Sequence, residues 1–433
     1  MLKSFLKYVL PSMLAFAFSG VYAIVDGFFV GRNVGDAGLA AINIAYPLAA
    51  LIQAVGTGIG MGGAVHLSIS RGSGDRESAG RYIGNSFTLL LGAGVVLTLG
   101  LLLSYAPLLR AFGAQGQTLM YAQEYIRIII YGTVFQLMAT GLIPLLRNLG
   151  LSMQAMLCMV AGFLTNIALD YLFVAVLPYG IAGAAWATIL GQIVTVVPSL
   201  CLLFSRKYRV PLSACALRGS AVKNILTTGI SPFGLTLSPN IVLMIINKSA
   251  AVYGGSDAVA AYAVVSYVFC VVQLLLQGVG DGSQPLISEY LGEGRKRAAD
   301  KICGMAYAMA GIVAVVCLTA IALLREELPP FFGTSPEVTL LASSALLIFA
   351  FCSLPVAFLR VTTSYFYATR RNGFSYLLVY GEPALLFGLM FLLPRIWSLD
   401  GVWWGVPVTQ LTLVLVGVLL LLLQGRGARR ERS

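Results

Sequence analysis

Residues 8–31 read YVLPSMLAFAFSGVYAIVDGFFVG, a run in which Asp26 is the single charged side chain. At 1.5 Å of rise per residue, a helix of this length measures about 36 Å and crosses the ~30 Å hydrocarbon layer of a bilayer. Lys3 and Lys7 precede it, which is also how a cleaved secretory leader begins. The apolar run continues through Phe28-Phe29-Val30, past the roughly 7–15 apolar residues of a leader, so it is read as a first membrane helix.

The rest of the chain has the same character. Of 433 residues, 58% are hydrophobic and 10% charged, and the mean hydropathy is +0.88. A soluble domain carries about 25% charged residues, so a soluble enzyme is excluded. The net charge of +11 comes from basic residues scattered in short loops, without the basic stripe and interleaved aromatics of a nucleic-acid binder. The seven Cys lie mostly within apolar runs and show no CxxC or Cys/His spacing, so neither a disulfide framework nor a zinc site is expected.

Twelve runs can span a bilayer: 8–31, 38–69, 82–105, 119–145, 154–177, 181–204, 224–252, 257–290, 302–324, 338–367, 374–396 and 401–424. With the N-terminus inside, 21 Lys and Arg fall on the inner face and only Arg32, Arg110, Arg325 and Arg395 on the outer. Both termini are therefore expected in the cytoplasm.

A shift of 220 in the numbering brings Ala40-Ala41 onto Ala260-Ala261, Gly72 and Gly74 onto Gly292 and Gly294, and Phe112-Gly113 onto Phe332-Gly333. A shift of 218 brings Gly183, Trp186 and Gln192 onto Gly401, Trp404 and Gln410. Each half holds an even number of runs, so the repeat is parallel. The fold expected is an all-α integral membrane protein, with twelve transmembrane helices in two six-helix bundles related by a parallel pseudo-two-fold repeat around a central cleft. Its parts are an N-terminal lobe (1–204), a basic cytoplasmic linker (205–223), a C-terminal lobe (224–424) and a basic cytoplasmic tail (425–433).

Acids at membrane depth cost several kcal/mol, so each needs a partner or a purpose. Asp170 follows Asn166 by four positions, on one face of run five. Asp170 and Thr188 stand nine residues either side of a tight turn near Tyr179, about 13 Å below the outer surface. Asp26 stands eight residues before a turn near Val34, about 12 Å deep. Two carboxylates, an amide oxygen and a hydroxyl at one level suit a small cation or a shared proton. Asn166 or Thr188 taken alone is more simply a hydrogen-bonding contact between helices.

In the second half, Asp281, Arg360 and Glu382 lie in the inner portion of the membrane. They form either a charge pair or part of a substrate cavity. Glu124 and Arg127, three apart, are expected to pair. His66 is the only histidine, and no carboxylate neighbours it in sequence. Gly58, Gly60 and Gly63 match GxGxxG, but no strand precedes them, so they are read as close helix packing and not as a nucleotide site. Pro11, Pro232 and Pro239 remove backbone bonds inside runs one and seven and permit bends.

The segment Val25-Asp26-Gly27-Phe28-Phe29-Val30-Gly31, with Ala40-Ala41 and Pro47, resembles the first two helices of the multidrug and toxic compound extrusion (MATE) family. So do Gln284-Pro285-Leu286-Ile287-Ser288 in run eight and the twice-six layout, over nearly the whole chain. The chain looks like the DinF-like prokaryotic branch. That resemblance implies a first-half cation site at Asp26, Asn166, Asp170 and Thr188, able to take a proton or Na⁺, and a bending role for Pro11. The membrane acids of the other large branch have no counterpart: run seven offers Asn247-Lys248 and run ten Arg360, while Asp281 stands in Gly280-Asp281-Gly282.

The activity so implied is secondary antiport, exporting bulky amphipathic, often cationic, small molecules in exchange for H⁺ or Na⁺ by alternating access. The chain would work as a monomer in the cell (inner) membrane, with no cofactor besides the coupling ion and no nucleic-acid partner. The alternative is a lipid-linked precursor flippase of the same superfamily, whose pyrophosphate cargo would need cations such as Arg360, Lys248 and Arg127. A membrane enzyme would need convergent catalytic groups that the sequence does not display.

Overall fold

A computed structural model describes residues 1–177, 179–205 and 211–430. Part of the basic linker, 206–210, and the end of the basic tail, 431–433, lie outside them. Helices dominate: α1 (Leu2–Val34), α2 (Asp36–Gly72), α3 (Arg76–Ala111), α4 (Gly116–Tyr131), α5 (Thr133–Asn148), α6 (Ser152–Asp170) and α7 (Gly180–Leu203) in the first half. The second half holds α8 (Gly219–Gly292), α9 (Lys296–Leu324), the single turn α10 (Leu328–Phe331), α11 (Pro336–Phe351), α12 (Ser353–Ala368) and α13 (Asn372–Arg430).

Eight of these helices are long and apolar enough to cross a membrane, and the bent pairs α4–α5 and α11–α12 each make one more crossing. Two are not single rods. α8 is broken by Gly255 and α13 by Ser398, each with positive φ. Counting the arms of both separately gives the twelve crossings expected. The protein is a multi-pass membrane protein, and lipid as its solvent explains the helical content: buried backbone groups find partners only within the helix. Side-chain hydroxyls follow suit, as when Thr195 and Ser199 donate to the carbonyls of Gly191 and Thr195 at 3.2 and 2.7 Å.

The duplication is written in the backbone. Positive φ occurs at Gly35 and Gly255, Gly74 and Gly294, Gly113 and Gly333, and Gly150 and Arg370, every pair related by the same offset as the sequence repeat. Gly180 and Ser398 are related by the slightly shorter one. These are the turns that reverse the chain, where a left-handed residue favours glycine. The bend of 60° between α4 and α5 recurs as 42° between α11 and α12.

By packing, the chain divides into two units, one comprising 3–237 with 285–299 and the other 238–284 with 300–433. The core of the first is apolar and centred on α2, α4 and α5, with Ile52, Ile126, Ile130, Leu137 and Leu142 fully buried. The linker beyond 210 forms a 3-10 turn, Leu212–Cys215, fastened to α3. Asn85 donates to the carbonyls of Ala214 and Ala216 (3.0 and 3.1 Å) and accepts from Arg218 N (2.9 Å). α3 itself starts at Asp75, whose carboxylate accepts from Ser78 N at 2.9 Å. That bond holds its carboxyl below the usual aspartate range.

Candidate functional site

The first-half polar group rests on α6 and α7, which approach closely at Gly162 and Gly191. A Cβ on Gly162 would strike the Thr195 hydroxyl and Gly191 O, and one on Gly191 would lie 2.8 Å from Gly162 O and 3.0 Å from Asn166 Cβ. This contact carries Asn166 and Asp170 to the level of Thr188. Directly after Asp170 the α6 helix widens into a π-helical turn, Tyr171–Val176, a feature that commonly accompanies function.

Asp170 is fully buried and Asn166 is 2% exposed. From α1, Asp26 brings its carboxyl within hydrogen-bonding reach of Asp170. Two carboxyls in such contact form a bond only with a proton between them. No N–H or O–H of the described residues reaches Asp26 Oδ1 or either oxygen of Asp170, and the Asn166 amide is likewise without a partner. Unsatisfied groups of this kind at membrane depth are costly, and a proton or a cation would satisfy them. Thr188 donates to Ala184 O at 3.0 Å.

Two tyrosines missing from the sequence reading complete the pocket. Tyr22 of α1 and Tyr125 of α4 both lie near the two acids, with their hydroxyls beside that of Thr188. Tyr22 also stacks on Phe163 of α6, ring centroids 5.2 Å apart. Tyr22 precedes Asp26 by one helical turn, a signal the sequence did carry, whereas nothing in the spacing marks Tyr125. Pro11 lies a full four turns below Asp26, inside an unbroken α1.

The second-half charges are joined through amides. Arg360 on α12 is 8% exposed and donates to Gln277 Oε1 (3.1 Å) and Gln273 Oε1 (2.7 Å) of α8. Gln277 Nε2 in turn donates to both oxygens of Asp281 at 3.2 Å, and Tyr367 donates to Asp281 Oδ1 at 3.0 Å. Asp281 and Arg360 are thus linked through Gln277. Glu382, on the leading arm of α13, accepts from Gln410 Nε2 at 2.7 Å.

The other sequence expectations divide. Glu124 and Arg127 are not among the ion pairs of the described residues; Arg127 instead meets the Tyr131 hydroxyl one turn on, so that expectation is corrected. His66 Nε2 lies 3.1 Å from Thr228 Oγ1, and its ring stacks on Tyr82 at 5.0 Å. Gly58, Gly60 and Gly63 abut Gly229, Gly141 and Ser86, the close packing expected of them. No group of three His, Cys, Asp or Glu comes together among the described residues, so a cation held here would draw on amide and hydroxyl oxygens beside two carboxylates.

An all-helical membrane protein of twelve duplicated crossings with a buried acid pair is a transporter architecture. The MatE family model matches residues 11–172 and 235–376, and the chain belongs to the MatE family. Similar curated proteins include the multidrug export protein MepA of Staphylococcus haemolyticus, 24% identical over 94% of this chain and 90% of the relative. MepA of Staphylococcus aureus strain NCTC 8325 is 22% identical over 97% and 93%. The fold matches a multidrug resistance MATE family transporter of the MOP superfamily, solved in an outward-facing conformation, with a TM-score of 0.93, 24% identity and coverage of 99% and 96%. It also matches a MOP superfamily transporter of Pyrococcus furiosus whose binding pocket is described as reversed in polarity, with a TM-score of 0.91, 24% identity and coverage of 96% and 94%. The twelve-helix, two-lobe arrangement read from the sequence fits this fold.

Proposed function

We propose that the protein is a secondary antiporter that exports bulky amphipathic, often cationic compounds in exchange for H⁺ or Na⁺. It would sit in the cell (inner) membrane as a monomer with both termini cytoplasmic. The observation that carries this is the contact of Asp26 with Asp170 beside an unpartnered Asn166. Bringing these acids together without a proton or cation sets like charges side by side in a low-dielectric interior. Loading the pocket with H⁺ or Na⁺ removes that repulsion and favours the conformation in which the acids meet. Unloading favours one in which they separate, and the ion biases the two only by its differential affinity for them. Thr188, Tyr22 and Tyr125 orient the groups around the ion.

In the second half, Arg360 lies within electrostatic reach of both Glu382 and Asp281. Asp281 is bonded to Gln277 and Tyr367, whereas Glu382 accepts from Gln410 alone and is the carboxylate with acceptor capacity left for a cationic substrate. A flippase of lipid-linked precursors would need a cation free to meet pyrophosphate, and Arg360 already donates to Gln273 and Gln277.

Dye efflux from vesicles under an imposed ion gradient tests the coupling. Asp26→Asn and Asp170→Asn are each expected to abolish gradient-driven efflux in a protein that remains folded. Wild-type coupling in both variants would remove the assignment.

A further inference from the structure

By sequence, α8 from 224 onward and the head of α9 belong to the second repeat, yet the start of α8 up to 237, its final turns from 285 and the head of α9 up to 299 pack into the first unit. What they pack against is one stripe of α2. Gly58, Gly62, His66, Ile69 and Gly72 recur at steps of four, four, three and three, which places them on a single face. A Cβ on Gly58 would lie 2.9 Å from Gly229 O, and one on Gly62 would strike Ile225 O. His66 reaches Thr228 Oγ1 at 3.1 Å, and Thr228 is 1% exposed.

At the end of the stripe the contact becomes symmetric. A Cβ on Gly72 would strike Glu289 O, and one on Gly292 would strike Ile69 O. Gly72 and Ile69 are the repeat equivalents of Gly292 and Glu289, so the two equivalent helices touch through equivalent atoms. One ion pair, Arg71–Glu289 at 3.5 Å, closes over the crossing, and Arg71 also donates to Asn148 O.

From this geometry we infer that the α2 stripe and the two ends of α8 form a parting seam, the closure on the side of the basic loops that must open when the transporter faces inward. This rests on the alternating-access reading above. Where glycine meets carbonyl the seam has few interdigitated side chains to repack. It is held by dispersion, weak Cα–H···O contacts, the His66–Thr228 hydrogen bond and one ion pair between partly exposed side chains, few bonds to break and re-form. The opposite face of α2 differs in kind: Gly56, Gly60 and Gly63 seat it on α5 and α3 of its own repeat, contacts that rocking between repeats would preserve.

Cysteines at both partners of the ion pair test the seam. Oxidation of Arg71→Cys/Glu289→Cys, or its treatment with a short bis-methanethiosulfonate, should abolish dye efflux, and reduction should restore it, with the two single variants unaffected by either treatment. Full efflux from quantitatively cross-linked protein overturns the inference. A second readout needs no transport and so stands apart from the antiport reading. Thr228→Cys should be nearly inert to an impermeant maleimide applied from the loop side. Adding Gly72→Ala, whose methyl wedges the crossing, should speed labelling by about tenfold. Unchanged labelling in a folded double variant also overturns the seam.

Discussion

Asp170 has no exposed surface and no donor for either oxygen among the described residues, while Glu382 is held by a single amide and Asp281 by an amide and a phenol. We therefore propose different tasks for these three acids. Asp281 is satisfied in place, which suits a structural task; Asp281→Asn should leave the acidic pocket of the first half intact but weaken the bonds to Gln277 and Tyr367, lowering thermal stability by about 1–3 kcal/mol in a detergent melt. Glu382→Gln keeps the bond to Gln410 through its amide oxygen and deletes only the charge. Binding of tetraphenylphosphonium to that variant should fall about tenfold while the melting temperature holds, and equal affinity would exclude Glu382 from substrate recognition. At this scale the sequence was legible for charges and blind to neutral partners. Four-residue spacing and matching depth marked Asp26, Asn166, Asp170 and Thr188, because a charge in lipid is anomalous by itself. Gln273 and Gln277 precede Asp281 at steps of four, yet uncharged amides raise no such alarm, and the connection through Gln277 appears only when α12 is laid beside α8.

Among the elements, α6 and α7 place the pocket through Gly162 and Gly191. A larger residue at Gly191 cannot be absorbed, since Gly162 O and the Cβ of Asn166, atoms fixed to the α6 backbone, oppose it. Gly191→Val should push α7 away from Asn166, cost about 1–3 kcal/mol of stability by overpacking and impair ion-driven efflux with every acid still present. Gly27→Ala, where an added methyl meets nothing within 4 Å, is the matched control on α1 and should transport normally. Element ends were readable where the turns repeat: Gly74 and Gly113 announce themselves again as Gly294 and Gly333. The bend at Gly132 and the π turn after Asp170 were not, because nothing in a run of apolar residues distinguishes an i→i+5 bond from an i→i+4 bond.

At the scale of the molecule, lipid and duplication account for the body of the chain, and both were open to view in hydropathy and in the constant offset between the halves. The ion of the proposed antiport is a matter for the acidic pocket. The acidic pocket offers two carboxylates, an amide and a hydroxyl, a shell equally suited to a bare proton shared between Asp26 and Asp170 or to Na⁺ held by all four groups. The alternatives differ in what they ask of Asn166. A proton shared by the acids needs no amide oxygen, whereas a sodium ion loses one of its few neutral ligands if that oxygen is removed. Efflux from proteoliposomes under separately imposed Na⁺ and pH gradients, with Asn166→Leu beside the wild type, therefore resolves the question. If the ion is Na⁺, a sodium gradient alone should drive wild-type efflux and the variant should need about tenfold more sodium for half-maximal rate. If it is H⁺, a pH gradient alone should suffice and the variant should retain most of its pH-driven rate. Failure of both gradients to drive the wild type would show that the acid pair does not couple transport to either ion.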